Sequence, residues 1–534
     1  MSTTSPLTQA VDGVQEPPRF LIIGAGSRGQ TYARCVRSST NGVVAAIAEP
    51  DDYKRNRFGE TMIWGSQAPP PEGAAFRDWR EFVAYEARRR ARAEAGEKDV
   101  PPGVDAVFVC VLDEMHREVV VALARLGGLH IMCEKPLATT LQDCIEMYRA
   151  LQSNTVAGGQ QAVFSIGHVL RYSPHNMLLR KLVLHDRVIG DIQSVVHTEP
   201  VGWWHFAHSY VRGNWRRERT SAPSLLTKSC HDIDMLLWLL CSPPDPSARD
   251  SLPPHQPAAI ASTGSLQYFK RSRKPAEAGA ATNCLSCGAE PRCKYSAKRI
   301  YVGKDLVGVE SGNRGWPVSI VLPDIESYGS QSEAREAMLA ELARDYDADT
   351  PDAEVASRNW FGRCVFESDN DVCDEQVVTI SWDDDPLPVK GGSSGRNAKT
   401  AVFHMVAQTK RICERYTHLY GEHGEIFADS TTITIEDFRT GKTAVHRPEI
   451  ESHGHGGGDI GLTRQFVLAV DKVKNHGWST DRAQRELVGC TLEEAIRSHA
   501  MVFCAETARR EKKVIDWAEW WANEVQAKLT QGAA

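Results

Sequence analysis

A glycine-rich hexapeptide near the start of the chain, Gly-Ala-Gly-Ser-Arg-Gly, has the residues and spacing to hold a phosphate group. It directly follows the apolar run 19–23, which predicts a buried strand, and it precedes a predicted helix. In such a turn the first glycine permits the bend, the second lets a pyrophosphate approach, and the third lets the helix pack on the strand. We therefore predict dinucleotide contacts from Gly24, Gly26, Ser27, Arg28 and Gly29. The alternative interpretation is a glycine-rich turn without a ligand.

A carboxylate at the end of the second predicted strand bears on which dinucleotide is bound. Glu49 lies 20 residues beyond Gly29. A carboxylate there accepts hydrogen bonds from both ribose hydroxyls of NAD and repels the 2′-phosphate of NADP. This favours NAD, but Lys54 and Arg55 follow closely and are able to receive a phosphate, so NADP stays possible. The alternative for Glu49 is a solvated carboxylate at a strand end.

A lysine with a possible catalytic role follows another apolar run, 130–133, in the order Glu134-Lys135-Pro136. Hydride can leave a carbinol carbon only if the hydroxyl proton is also handled, and a lysine at a strand end is suited to that task. An isolated lysine is more often a surface charge. Together with the glycine hexapeptide and Asp113-Glu114-Met115-His116, however, this segment closely resembles the glucose–fructose oxidoreductase/inositol dehydrogenase (Gfo/Idh/MocA) family.

The resemblance is strong from Phe20 to about Tyr172 and patchy afterwards. It implies an α/β fold: an N-terminal Rossmann domain with a doubly wound parallel sheet, then an α/β domain with an open, mainly antiparallel sheet. The nicotinamide is expected at the junction. Lys135 matches the family's catalytic lysine, and Pro136 matches a proline that often has a cis bond. The resemblance also places His116, Glu134 and Lys135 at the cofactor.

A second segment, 226–234, resembles the family's other catalytic stretch. There the family commonly has an aspartate, a histidine four residues later, and another aspartate three residues after that. His231 and Asp234 match, but position 227 is threonine, and Lys228 adds a cation. We predict that His231 shares the substrate hydroxyl with Lys135, as acid/base or orienting group. The alternative is a histidine that only packs.

Further substrate contacts are predicted from two clusters. Arg171 and Tyr172 follow a predicted strand where the family places substrate contacts, alongside Lys228 and Asp234 in the second segment. The loop 453–459, with His455, is similar to glycine-rich loops of sugar-active relatives. A flexible surface turn is the alternative for this loop. An aromatic patch at 203–208 suits stacking on a sugar ring, although such patches are more often core.

Three closely spaced cysteines, Cys284, Cys287 and Cys293, lie in a stretch with few apolar residues. Three thiolates suggest a structural zinc site, which needs a fourth ligand that the sequence does not identify. The alternative is reduced cysteines that order the loop by packing. We expect the remaining cysteines, among the 14 in the chain, to be reduced and buried.

The domain organisation follows from length and pattern. A chain of 534 residues normally forms more than one domain. We predict a flexible leader over 1–17, the Rossmann domain over 18–158, and the substrate-binding α/β domain over 159–534. The segment 162–167 is assigned to the second sheet. Inserted loops are expected at about 242–300 and 383–398, where proline, glycine, aspartate and serine are frequent.

Composition excludes several classes of protein. Hydrophobic residues make up 42% and charged residues 25%, and the net charge is only −7. No basic stripe is present, so nucleic acid is not an expected partner. No apolar run is long enough to span a bilayer, so no membrane association is expected, and we predict a cytoplasmic protein.

These inferences predict an NAD(P)-dependent oxidoreductase acting on a secondary alcohol of a sugar, cyclitol or sugar derivative. One alternative is an NAD-dependent glycosidase that oxidises C3 transiently and eliminates the leaving group. A third is a non-catalytic dinucleotide-binding regulator, which would not need Lys135. The expected partner is a small polyol or carbohydrate. The family often dimerises through the open sheet, so a homo-oligomer is also expected.

Overall fold

The apolar pentapeptide Arg-Phe-Leu-Ile-Ile forms the central strand, β1 (Arg19–Ile23), of the first sheet. The computed structural model describes residues 16–66, 68–156, 158–242, 253–385, 396–450 and 454–530. Phe20–Ile23 are at most 2% exposed, because parallel strands lie on both sides of β1 and helices cover both faces of the sheet.

The first sheet has six parallel strands in the order β3-β2-β1-β4-β5-β6. This is the predicted doubly wound arrangement, in which ligands bind at the carboxyl ends of the strands where the strand order reverses. Its other strands are β2 (Val43–Ala48), β3 (Ala75–Phe76), β4 (Ala106–Val109), β5 (His130–Cys133) and β6 (Phe164–Ile166). The helices between them are α1 (Ser27–Ser39), α2 (Asp52–Met62), α3 (Trp79–Glu94), α4 (His116–Leu126) and α5 (Leu141–Ser153).

The assignment of 162–167 to the second sheet is wrong. β6 pairs in parallel with β5, with Ile131 opposite Phe164, and it completes the first sheet. The first domain therefore continues past the predicted boundary at residue 158. A three-residue strand that is buried on both faces carries no alternation to identify its sheet.

The C-terminal part of the chain returns to the first domain. α13 (Gly458–His476) packs on α1, and Phe466 lies 5.3 Å from Phe108 and 6.2 Å from Phe20 between ring centroids. The core of the nucleotide domain is thus completed by residues more than 400 positions away from β1. A single boundary between residues 158 and 159, as predicted, does not account for the packing of α13 on the first domain.

The second sheet has nine strands in the order β14-β13-β12-β11-β7-β10-β9-β8-β15. β7 and β10 pair in parallel, and the other pairs are antiparallel, as expected for a mainly antiparallel sheet. The strands are β7 (Ile192–Pro200), β8 (Ala259–Ser265), β9 (Glu375–Trp382), β10 (Lys399–Val406), β11 (Tyr416–Gly421), β12 (Gly424–Ala428), β13 (Ile433–Asp437), β14 (Lys442–His446) and β15 (Ile515–Asp516).

The remaining helices follow β6 along the chain. The longest is α15, which packs on α9 and β8. These helices are α6 (Pro174–Arg180), α7 (Trp203–Phe206), α8 (Ser224–Thr227), α9 (Cys230–Leu240), α10 (Val318–Val321), α11 (Gln331–Leu342), α12 (Asp352–Ser357), α13, α14 (Thr480–Ala483), α15 (Leu492–Glu511), α16 (Trp517–Trp521) and α17 (Ala527–Thr530).

Residues 266–374, between β8 and β9, form an inserted unit with a small core of its own. Ile300, Tyr301 and Met338 are fully buried there, against Trp204 of α7. The predicted insertion at 242–300 therefore has the wrong bounds. Residues 1–15, 243–252 and 386–395, where the leader and parts of the predicted loops fall, lie outside the described residues.

The other face of the second sheet is open. Along β7, β11 and β12, inward residues such as Val195 are fully buried, whereas Val196, Tyr420 and Phe427 are 37–44% exposed. An antiparallel sheet with one packed face alternates in this way. Among the residues that the structure describes, no helix combines the length and apolar character that crossing a bilayer requires.

Candidate active site at the domain junction

The glycine turn lies at the carboxyl end of β1, and its three glycines have different surroundings. Gly24 has φ +96°, and a Cβ there would lie 2.6 Å from the Cys110 carbonyl oxygen. A Cβ on Gly29 would lie 1.9 Å from the Gly24 oxygen, so the helix packs too closely for any side chain. At Gly26 a Cβ would meet no atom within 4 Å. The backbone at Gly26 therefore faces open space at the start of α1, which fits the close approach of a pyrophosphate.

Glu49 braces this turn and is only 8% exposed, so it is not a solvated strand-end carboxylate. Its Oε2 accepts a hydrogen bond of 2.7 Å from the Ala25 amide, and its Oε1 accepts one of 3.0 Å from the Asp51 amide. Arg55 donates to the Glu49 carbonyl and forms an ion pair with Asp52. The cation proposed as a phosphate acceptor is thus already engaged with α2.

Arg28 links the glycine turn to both domains. Its Nε donates to Glu134 Oε1 at 2.6 Å, and a terminal nitrogen donates to Asp459 Oδ1 at 2.8 Å. Tyr32 also donates to Glu134. Burial opposes the charge on Glu134, but Arg28 and the Tyr32 hydroxyl outweigh it and lower the pKa of this carboxyl.

His116 is fully buried, and both ring nitrogens lie against backbone carbonyl oxygens. Nδ1 is 2.7 Å from the Pro136 oxygen, and Nε2 is 3.2 Å from the Val111 oxygen. The ring thereby ties the segment after β4 to the segment after β5. In this position His116 orders the loops around the site, and the predicted direct contact with cofactor stays a prediction.

Lys135 leaves β5 toward the second domain. Its Nζ donates a 2.6 Å hydrogen bond to the Thr227 carbonyl oxygen, and it lies 6.0 Å from the centre of the Trp215 ring. The Lys135–Pro136 peptide bond is cis, as the resemblance implied. Position 227, where the family has an aspartate, thus contributes its backbone oxygen to the lysine.

His231 is 3% exposed at the start of α9. Its Nε2 lies 2.7 Å from a terminal nitrogen of Arg415. A guanidinium has only donors, so Nε2 accepts and the ring proton is on Nδ1. Among the described residues Nδ1 is buried and has no hydrogen-bond partner. Burial, with smaller contributions from Arg415, Lys135 and Lys228, holds the pKa of His231 well below its usual range.

Sequence reasoning missed the charged residues behind His231. Arg415 Nε lies 2.5 Å from Asp232 Oδ1 and 3.0 Å from Glu199 Oε2. Lys228 Nζ is 3.1 Å from Glu199 and 2.9 Å from Cys413 Sγ. The predicted contact of Lys228 with substrate stays a prediction, since its ammonium already has protein partners. Glu199 lies in β7 and Arg415 directly precedes β11, 184 residues after His231, so no local motif marks them.

Arg171, Tyr172 and Asp234 have partners within the protein, and their predicted contact with substrate stays a prediction. Arg171 and Asp234 form a buried two-point ion pair, with distances of 2.7 and 2.8 Å. Tyr172 donates to the Val488 carbonyl oxygen. All three residues are at most 6% exposed. They hold the first turn after β6 against α9 and the C-terminal helices.

His455 lies at the site. Its ring centre is 6.5 Å from that of His231, and its Nδ1 is 3.1–3.2 Å from the Asp459 carboxylate. His455 has φ +45°, and Gly456 and Gly457 also have positive φ, so the loop turns sharply before α13. The predicted site loop is therefore placed beside His231, while His453 falls outside the described residues.

The aromatic patch contributes mainly to packing. Trp204 is 5% exposed within the core of the inserted unit, and His208 hydrogen-bonds the Tyr301 hydroxyl at 3.0 Å. His205 faces Trp316, with ring centres 4.9 Å apart. Packing was the more common interpretation for such a patch, and it is confirmed for Trp204 and His208.

The zinc prediction for Cys284, Cys287 and Cys293 is not confirmed. No three His, Cys, Asp or Glu side chains in the described part of the chain are arranged to hold a metal ion. Cys284 Sγ instead accepts a hydrogen bond of 3.4 Å from Arg212, and a guanidinium in that place repels a cation. Burial raises the pKa of the Cys293 thiol, which favours a neutral, packed side chain.

Comparison with known proteins identifies the first domain. Residues 18–159 match the model of a family described as "Oxidoreductase family, NAD-binding Rossmann fold". The chain is 30% identical over 226 residues to 2,7-anhydro-N-acetylneuraminate hydratase of Mediterraneibacter gnavus, covering 42% of this chain and 50% of that protein. It is 30% identical over 219 residues to inositol 2-dehydrogenase of Paracoccus denitrificans, covering 41% and 53%. The chain thus spans about half the length of these relatives.

The fold as a whole also has counterparts among solved structures. An inositol dehydrogenase homolog from Azotobacter vinelandii, solved in complex with NAD⁺, superposes with a TM-score of 0.55 at 14% identity. The superposition covers 94% of this chain and 98% of that one. At this identity the likeness establishes the two-domain fold.

The Arg171–Asp234 pair provides a test of its structural role. Replacing Arg171 by leucine leaves a buried carboxylate without its cation, and we expect a loss of about 3–5 kcal/mol in the free energy of unfolding. The double variant Arg171→Leu/Asp234→Leu removes the unpaired charge and should recover most of this loss. Urea denaturation of the three proteins measures both effects. Unchanged stability in Arg171→Leu would contradict this structural role.

Proposed function

We propose that this chain transfers hydride between NAD and a secondary alcohol of a sugar, cyclitol or sugar derivative, because residues 18–159 match the model of an NAD-binding oxidoreductase family. The observation that carries the proposal is the position of Lys135 at the domain junction, where its Nζ donates to the carbonyl oxygen of Thr227, four residues before His231. The named relatives that act on inositol and on an anhydrosugar support the substrate class.

Each group has a defined task in this proposal. The turn at Gly26 and the first amides of α1 bind the pyrophosphate, and Glu49 faces the adenosine ribose. When bound, the nicotinamide accepts or returns the hydride. Lys135 donates a hydrogen bond to the reacting oxygen, and so does the unpartnered Nδ1–H of His231. The protein thereby fixes the alcohol carbon and stabilises charge that develops on its oxygen.

A second candidate is a net non-redox reaction at the same site. The similarity to a hydratase favours it. A transient oxidation acidifies the neighbouring C–H, so a group can be eliminated, water added and the carbonyl reduced again; an NAD-dependent glycosidase with transient C3 oxidation would follow this course. The two candidates differ in their products: a dehydrogenase accumulates NADH, whereas a hydratase or glycosidase releases product without net NADH. A regulator without catalysis would not need Lys135.

For the cofactor we propose NAD over NADP, on the basis of the buried carboxylate of Glu49. We expect tighter binding of NAD by the wild type and a smaller difference in Glu49→Ser, because the repulsion of a 2′-phosphate is removed. Some loss of affinity for both cofactors should accompany the change, since Glu49 also holds the Ala25 amide. Isothermal titration calorimetry with both dinucleotides measures this. Lys54→Ala is the control, and equal affinities in the wild type would contradict the proposal.

For assembly we propose a homo-oligomer formed through the open face of the second sheet. Val196, Tyr420 and Phe427 expose apolar surface together there, as interface cores do. We expect more than one subunit in sedimentation equilibrium, and dissociation in Val196→Asp/Phe427→Asp. The uncharged double variant Val196→Thr/Phe427→Gln shows whether loss of apolar area alone is enough to dissociate the oligomer. A monomeric wild type would contradict the proposal.

Lys135→Met keeps the length of the side chain and removes its charge. If Lys135 acts on the reacting oxygen, turnover should fall roughly 10²- to 10⁴-fold while NAD affinity stays within a few-fold. The assay follows NADH absorbance and product formation with a panel of sugars and cyclitols. This loss of turnover is required both by a dehydrogenase and by a hydratase or glycosidase that oxidises its substrate transiently. Near-normal turnover in Lys135→Met would remove the lysine from the chemistry.

A further inference from the structure

The proposed oxidation needs a group that accepts the hydroxyl proton, and His231 is not suited to that task. Its Nε2 lone pair accepts a hydrogen bond from Arg415, and its Nδ1 carries the ring proton. Nδ1 can therefore only donate a hydrogen bond, and the lone pair of Nε2 is already occupied by Arg415. Neither nitrogen is free to accept a proton. At position 227 the threonine offers no carboxylate. The site lacks a base on the α8–α9 side.

His455 has the opposite arrangement. Its Nδ1 lies 3.1 Å from Asp459 Oδ2, and a carboxylate accepts, so the ring donates from Nδ1 and keeps its lone pair on Nε2. The His455 side chain is 37% exposed, whereas that of Asp459 is 5% exposed. Although burial opposes its charge, the hydrogen bond from His455 and the charge of Arg28 hold the pKa of Asp459 well below its usual range. The carboxylate is thus a fixed anion behind the imidazole.

The two imidazoles are spaced to share one oxygen atom. Their ring centres are 6.5 Å apart, and the ring planes are inclined at 72°. A ring nitrogen lies about 1.2 Å from the ring centre, so this separation would allow a substrate oxygen to lie about 2.8 Å from one nitrogen of each ring. The Lys135 ammonium approaches from the other domain and donates to the carbonyl oxygen of Thr227, four residues before His231. One hydroxyl group therefore has two donors and one acceptor within reach.

We propose that His455, oriented by Asp459, is the general base of this site. In the oxidation direction the alcohol O–H bond breaks and its proton goes to His455 Nε2. The C–H bond breaks with its electron pair, the hydride goes to NAD⁺, and the C=O bond forms. In reduction the same nitrogen returns the proton. This assignment rests on the proposed hydride transfer, and it makes His231 and Lys135 hydrogen-bond donors to the reacting oxygen.

The His455–Asp459 pair also connects the proposed base to the cofactor site. Asp459 is held by Arg28, a residue of the glycine turn, and Arg28 also holds Glu134, which precedes Lys135. A base oriented in this way is correctly placed only when the turn that binds the dinucleotide is ordered. Asp459 is accordingly a positioning residue, and His455 is the group that touches the substrate.

The first test needs neither substrate nor cofactor. Nitrogen-15 NMR of histidine-labelled protein distinguishes the two neutral tautomers of an imidazole. We expect His455 in the Nδ1–H form in the wild type. Asp459→Asn replaces the acceptor by an amide, whose NH₂ group can donate to Nδ1, and should move the ring toward the Nε2–H form. The His455→Gly variant identifies the signal, since glycine tolerates φ +45°.

The second test measures turnover. Asp459→Asn and His455→Gly should each lower kcat roughly 10²- to 10⁴-fold, with NAD affinity within a few-fold of the wild type. Free imidazole should restore part of the activity of His455→Gly, but not of Lys135→Met. Asp459→Glu should retain more activity than Asp459→Asn, since it keeps the acceptor.

The outcomes separate the two proposals. If the wild type transfers hydride and Asp459→Asn or His455→Gly keeps normal turnover, or if imidazole restores nothing, His455 is not the base. If the wild type transfers no hydride to or from any substrate tried, the proposed function fails, and the tautomer measurement still decides the state of the pair. An Nε2–H form in the wild type overturns the assignment by itself. Circular dichroism and NAD binding show that each variant is folded.

Discussion

The Arg28 guanidinium is the contact on which the arrangement of the site depends. It belongs to the glycine turn, yet its nitrogens donate to Glu134 from β5 and to Asp459 from the start of α13. Both carboxylates are at most 6% exposed, so each needs a cation. Leaving a buried charge without its partner typically costs about 3–5 kcal/mol. One side chain, Arg28, therefore fixes the relative positions of three segments: the glycine turn, the residues around Lys135, and the loop that contains His455.

A second buried charge cluster lies behind His231. Arg415 and Lys228 are balanced by Asp232 and Glu199, all at most 8% exposed. Because guanidinium hydrogens can only be donated, this cluster determines which nitrogen of His231 carries the proton. Position 227 carries a threonine and no carboxylate, whereas His455, on the loop beside His231, is paired through Nδ1 with the carboxylate of Asp459.

The residues predicted from short motifs differ in what they contact in the structure. Lys135 follows β5 and contacts the Thr227 carbonyl oxygen, and His455 lies in the glycine-rich loop before α13, beside His231. Arg171 and Asp234 match the family equally well in sequence, but each satisfies the other's charge in the interior. Three cysteines at zinc-like spacing are not arranged to hold a metal ion in the described part of the chain, and Arg212 from a distant helical segment lies against Cys284.

By itself the sequence determined the parallel sheet of the nucleotide domain, the glycine turn with Glu49 behind it, the position of Lys135 after β5, and the mainly antiparallel character of the second sheet. These features depend on residues that are near one another along the chain, through hydrophobic periodicity and turn geometry. Only the tertiary structure decided that β6 joins the first sheet and that α13 completes its core. It also decided that Arg415 and Asp459 set the proton positions of His231 and His455. Those contacts join segments up to about 430 residues apart, and a long-range pairing of buried charges leaves no periodic or local signal in the sequence.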